Sequence, residues 1–118
     1  MRIAIVTGFL RPGWGYQENY WLEELARAGH EALMVTAGKP AAPKPVTLKH
    51  GCYHAQEVPT LCGPRATYYS RRVCDALGPF RPHIILWSGQ CQFFGLDILH
   101  DPRIAGAAVV TFFGQNLG

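Results

Sequence analysis

No stretch of this chain reaches the length of a membrane helix. The longest apolar runs, IAIV and AAVVTFF, fall far short of the roughly 20 residues needed to cross a bilayer. The N-terminus has no charged segment leading into a signal-peptide core. No transmembrane segment is therefore expected, although peripheral contact with a membrane surface is compatible with the sequence. Charge is also scarce: 16% of the 118 residues are charged and the net charge is +3. Lys and Arg are scattered apart from Arg71 and Arg72, so there is no basic stripe for nucleic acid to follow. The four cysteines, Cys52, Cys62, Cys74 and Cys91, form no C-x-x-C pair, which points to reduced thiols and a cytoplasmic chain. The five histidines, His30, His50, His54, His83 and His100, offer no pair on one helical face and no carboxylate at zinc-like spacing. They read as structural or surface residues, and no metal and no cofactor is expected.

What is present is alternation. Arg2 to Phe9 is a continuous Ile- and Val-rich run, the pattern of a strand buried on both faces of a parallel sheet. A helix is predicted from Tyr16 to Ala28, with Leu22, Leu25 and Ala26 on one face, Glu23 and Arg27 paired on the other, and Gly29 as its stop. His30 to Ala37 is the second strand. Gly38 to Pro45 (GKPAAPKP) is too rich in proline for a helix or a central strand and reads as a surface loop. Cys52 to Pro59 is a weaker third strand, expected towards an edge. A helix is predicted over Arg65 to Leu77, where Ala66, Tyr69, Val73 and Leu77 recur at helical spacing before Gly78-Pro79. Ile84 to Trp87 is the fourth strand, Gln92 to His100 a short helix, and Ala107 to Phe113 the fifth strand.

This order implies one α/β domain: an open, mostly parallel, Rossmann-like sheet of order 3-2-1-4-5 with helices on both faces. Ligands collect where the strand order reverses, in a crevice bounded by Leu10 to Tyr16, Ser88 to Cys91 and Gly114 to Asn116. In the stretch PGWGYQEN, Gly13 and Gly15 allow a sharp turn and close approach to main-chain N–H groups at a helix N-terminus. That arrangement suits a phosphate or another anion, and it equally suits a tight turn with no ligand. A dinucleotide fingerprint is not met, because Glu18 stands where a third glycine belongs and strand 2 ends in Thr36-Ala37-Gly38. No Gly-Lys-Ser/Thr of a P-loop follows either. Trp14, a large aromatic between two glycines, has no core to fill, so a ligand or neighbouring domain is expected to cover it.

The run RIAIVTGFLRPGWGYQENYWLEELARAGHEALMVTA resembles the opening of the GT-B glycosyltransferases of the group 1, retaining type. RPHIILWSG is similar to a later strand of that family, with His83 where aspartate is usual. The resemblance implies a Rossmann-like N-terminal, acceptor-side domain over residues 1–118, incomplete after strand 5, with the C-terminal donor domain absent. It implies that Gly13 and Gly15 face the donor diphosphate. Trp14, Tyr16, Gln17, Glu18, Ser88, Gln90, Gly114 and Asn116 would then lie on the acceptor side.

Phe113 occupies the position of a family histidine that contacts the transferred sugar, and a phenyl ring cannot hydrogen-bond a hydroxyl. The partners so implied are a nucleotide-sugar donor and a hydroxyl acceptor, with no activity in this chain alone. A non-catalytic Rossmann-like binding or scaffolding module is the alternative. A metal-holding receiver domain fits poorly, since no acidic cluster follows strand 1. With the proline loop replacing a helix, strands 1, 4 and 5 are expected to lack cover on the face of the first helix. Self-association through that uncovered sheet face is expected in turn.

Overall fold

The structure, a computed structural model, describes residues 1–7, 17–38, 43–48, 51–63, 67–88 and 94–112. It is an α/β fold built on a mixed, mostly parallel six-stranded sheet. Its strands are β1 (Arg2–Val6), β2 (Glu31–Gly38), β3 (Lys44–Leu48), β4 (Gly51–Pro59), β7 (Ile84–Ser88) and β8 (Ala108–Phe112). The order is β3-β4-β2-β1-β7-β8. A two-stranded antiparallel pair, β5 (Leu61–Gly63) and β6 (Thr67–Tyr69), stands apart from it. Two helices are present among the described residues, α1 (Gln17–Arg27) and α2 (Cys74–Phe80).

The strand order differs from the expected five-strand order by a sixth strand. Lys44 and Pro45, expected in a surface loop, open β3, which runs antiparallel outside β4 with Pro45 opposite His54. Proline lacks a ladder donor but is tolerated on an edge strand. As a result β4 is an interior strand, flanked by β2 and β3, and not the edge its poor alternation suggested.

The helices also differ. The predicted helix over Arg65 to Leu77 is divided: Thr67–Tyr69 pairs with Leu61–Gly63, and the helix starts only at Cys74. It then passes the expected stop at Gly78-Pro79 and ends with Arg81 in the left-handed region at φ 53°. Pro79 has no N–H to donate to Asp75, so the helix cannot run far beyond it. The predicted helix from Gln92 to His100 is in its described part a 3-10 turn, Leu96–Leu99, followed by a second, Pro102–Ile104.

The centre of the sheet is covered on both faces, whereas Ala108 to Thr111 of β8 are exposed. Parallel partners share a face, so Ile5 lies beside Met34 and Leu86, while Val6 lies beside Val35 and Trp87. On the first face α1 sets Leu22, with Trp21 and Leu25, against Ile5, Ala32, Met34 and Tyr53. On the second, Val73, Cys74, Ala76 and Leu77 of α2 and its approach pack with Phe94, Ile98 and Ile104 against Ala4, Val6, Leu33, Val35, Ile85 and Trp87. Ile3 and Ile5 are buried, so strand 1 does not lack cover on the α1 face, because Leu22 of α1 packs against Ile5 there. Ile84 and Leu86 are half-buried. Among the described residues of the six strands, the exposed large apolar side chains are Val109 and Val110 of β8. No helix among the described residues is long and apolar enough to cross a membrane.

Among the described residues two glycines have positive φ: Gly29 at 86°, ending α1, and Gly95 at 91°, beneath the end of β7. A Cβ at Gly29 would meet nothing within 4 Å, whereas one at Gly95 would sit 3.1 Å from Ile98 and 3.5 Å from Trp87 and Val6. Both Gly→Ala variants incur the left-handed penalty of about 1 kcal/mol, and Gly95→Ala adds crowding. Urea unfolding is expected to show Gly95→Ala as the more destabilised, by about a further 1 kcal/mol. Equal losses would mean that the segment around Gly95 is not packed under Trp87.

Candidate functional site

The switch in strand order lies between β1 and β7, because β1 connects through α1 to β2 on one side and lies beside β7 on the other. Their carboxyl ends, at Val6 and Trp87, are register partners. Thr7 continues β1 by donating its N–H to Val35 O at 3.0 Å, and α1 begins at Gln17. Of the residues expected to bound the crevice, Ser88, at the end of β7, lies among the described residues, and the others lie outside them.

A strap of hydrogen bonds crosses these carboxyl ends on the α2 face. Ser70 Oγ donates to Pro59 O at the end of β4 (2.9 Å), and Gly95 N donates to Ser70 O (3.0 Å). The Trp87 indole Nε1 donates to Phe94 O (2.7 Å). Trp87 and Ser70 are both buried, so each polar group inside has its partner. The strap ties the segment after β7 to the end of β4.

Of the residues expected to serve the site, Gln17 and Glu18 are the first two residues of α1 and Ser88 is the last of β7. Gly13, Trp14, Gly15, Tyr16, Gln90, Phe113, Gly114 and Asn116 lie outside the described residues.

A second constellation was not anticipated from the sequence. Val73, the N-cap of α2, provides no side-chain cap, and Asp97 supplies one from 23 residues away: its Oδ2 accepts from Cys74 N at 2.7 Å. Asp97 Oδ1 is buried and has no hydrogen-bond partner among the described residues. Beside it the Cys74 thiol is pushed well above its ordinary pKa, first by burial and then by the charge and hydrogen bonding of Asp97. It is therefore a protonated thiol at neutral pH and no nucleophile.

Asp101 caps the second 3-10 turn by accepting from Arg103 N (2.9 Å). The Arg103 guanidinium reaches both Asp101, at 2.8 Å, and Asp75 of α2, at 3.2 Å. Thus a buried carboxylate and an ion-paired one fasten the 3-10 segment to the start of α2. The only sequence signal was the four-residue spacing of Asp97 and Asp101; Cys74 joins them through tertiary contact.

Compared with known protein families, with curated proteins and with solved structures, the chain matches none.

The Arg103 side-chain hydrogen bond is the main cause that holds the Asp101 carboxyl down at about 2. Its folded value lies below the unfolded one, so the ion pair stabilises fully above the ordinary carboxylate value of about 3.9 and is lost as pH falls towards 2. Carboxyl-carbon NMR in the presence of a chelator is expected to give an Asp101 midpoint near 2. In Arg103→Leu it should rise towards the ordinary value of about 3.9, stopping short of it because the backbone N–H of residue 103 still donates to Asp101. A wild-type midpoint already at the ordinary value would show that the pair does not form in solution.

Proposed function

We propose that this chain is the acceptor-side part of a glycosyltransferase that moves a sugar from a nucleotide-sugar to a hydroxyl acceptor. The observation that carries the reading is the place of the β1–α1 connection. Of the residues singled out from the sequence, Gly13 to Tyr16 fall in chain order between the carboxyl end of β1 and α1, and Gln17 and Glu18 are the first two residues of α1, which follows a strand beside the switch in strand order. Ligands of open α/β sheets bind at that point. Fold alone does not specify chemistry; the motif residues on that connection supply the chemical content. Gly13 and Gly15 would admit a diphosphate to main-chain N–H groups, and the positive end of the α1 dipole favours its charge. Trp14, Tyr16 and the polar Gln17 and Glu18 suit the acceptor, offering an apolar surface and hydroxyl-binding groups. Grip on the donor's base and ribose would come from a second domain.

Calorimetry with a nucleoside diphosphate is the test. Wild type is expected to bind weakly, and Gly15→Val to bind at least about tenfold more weakly with little change in melting temperature, since a β-branched side chain blocks the approach and resists positive φ. No binding by wild type at millimolar ligand, with an unfolded variant, would make the loop a structural turn only.

The second reading, a non-catalytic binding or scaffolding module, is favoured by β8. This edge strand, AVVTF, carries no charge and exposes Val109 and Val110, whereas the opposite edge is blunted by Lys44 and Pro45 of β3, the usual protection of a sheet edge. Under this reading, sedimentation of the chain shows a concentration-dependent dimer that Val110→Lys abolishes. A monomer at high micromolar concentration removes it.

A further inference from the structure

We propose that Cys74, Asp97 and Asp101 form a binding site for a divalent cation of the zinc class, where the start of α2 meets the segment that follows β7. One ligand atom from each residue lies within 4.8 Å of the other two. The second observation is the orphaned oxygen. Asp97 is only 6% exposed; its Oδ2 is used by Cys74 N, while Oδ1 is buried with no partner among the described residues. Leaving a buried carboxylate oxygen without a donor or cation is expensive. Arg103 does not relieve it, since its side chain is engaged with Asp75 and Asp101. A cation on Oδ1 satisfies the atom and leaves the cap on α2 intact.

The donor chemistry selects the ion. One sulfur with two carboxylate oxygens suits zinc and disfavours magnesium and calcium, which take oxygen alone. Tetrahedral zinc places such donors about 3.3–3.5 Å apart, so the cluster must contract by about an ångström. Asp101, on the rim, is the residue placed to move. Arg103 bonds both of its oxygens and acts as the outer partner that orients a ligating carboxylate. Asp101 also lines a cavity of about 250 Å³ together with His100 and Leu99, the last two exposed, so the rim of the site faces solvent on that side. On binding, the Cys74 S–H bond is replaced by a sulfur–metal bond and one proton passes to solvent. The site needs no histidine, so a search of histidine spacings passes over it.

The test uses the full chain stripped with chelator and titrated with cobalt(II), then with zinc in competition. One equivalent is expected to bind with a sulfur-to-cobalt charge-transfer band and the strong visible bands of four-coordination. Zinc should displace cobalt and raise the melting temperature, and magnesium should do neither. Cys74→Ser is expected to lose the charge-transfer band. Asp97→Asn, which keeps a carbonyl oxygen for Cys74 N, should weaken binding by about tenfold or more. Should the buried variants unfold, Asp101→Asn at the rim carries the same expectation of weaker binding. The proposal is overturned if wild type binds neither metal at submillimolar concentration, if the charge-transfer band survives in Cys74→Ser, or if folded Asp101→Asn keeps wild-type affinity.

Discussion

Everything in this structure answers to the two-sided burial of β1. Ala4, Ile5 and Val6 have no solvent exposure at all, and a parallel strand flanked by parallel neighbours can reach that state only if both faces of the sheet are covered. Covering the first face is simple. Helix α1 spans 11 residues and lays one apolar stripe, centred on Leu22, across β1, β2 and β4. Its opposite face carries ion pairs from Arg27 to Glu23 and Glu24, exposed and worth little to stability.

The second face is harder to cover. Helix α2 has only seven residues and includes Pro79, too short to be stable by itself and too short to shield β1, β2 and β7 together. Two 3-10 turns and Phe94 complete the layer, and such turns hold few hydrogen bonds of their own. They are held instead by tertiary bonds: Trp87 to Phe94, Ser70 to Pro59 and Gly95, Asp97 to Cys74, and Arg103 to Asp75 and Asp101. Polar groups are buried here because the apolar cover is made from irregular backbone. The same shortage of regular cover therefore produces both the strap across the strand ends and the cluster of Cys74, Asp97 and Asp101. The strap and the proposed cation site share the segment after β7, so a cation there would stiffen the strap.

The amino ends of the strands show a complementary economy. Arg2 exchanges bonds with the His83 backbone and ring, with its Nε on Arg81 O, and Glu31 N donates to Met1 O. These bonds set the register of β1 against β2 and β7, and register decides which of Ala4 and Ile5 meets which helix.

The amino-acid sequence by itself determined the β1–α1–β2 unit, the parallel character of the sheet and the strands at Ile84 and Ala108. There the hydrophobic period is unambiguous and neighbours in sequence are neighbours in space. It also placed Gln17 and Glu18 in the first turn of the first helix. Only the tertiary structure decided the rest. Ala66, Tyr69, Val73 and Leu77 are spaced as a helix, yet pairing of Leu61 with Tyr69 outweighs that period and draws Thr67–Tyr69 into a strand. Lys44 and Pro45 look like loop, yet an open edge of β4 offers backbone partners that proline's neighbours can use. Cys74 and Asp97 have no pattern linking them across 23 residues; the need to cap a short buried helix brings them together. Local periodicity is written in the chain, but a contact between distant residues exists only once the sheet that gathers them has formed.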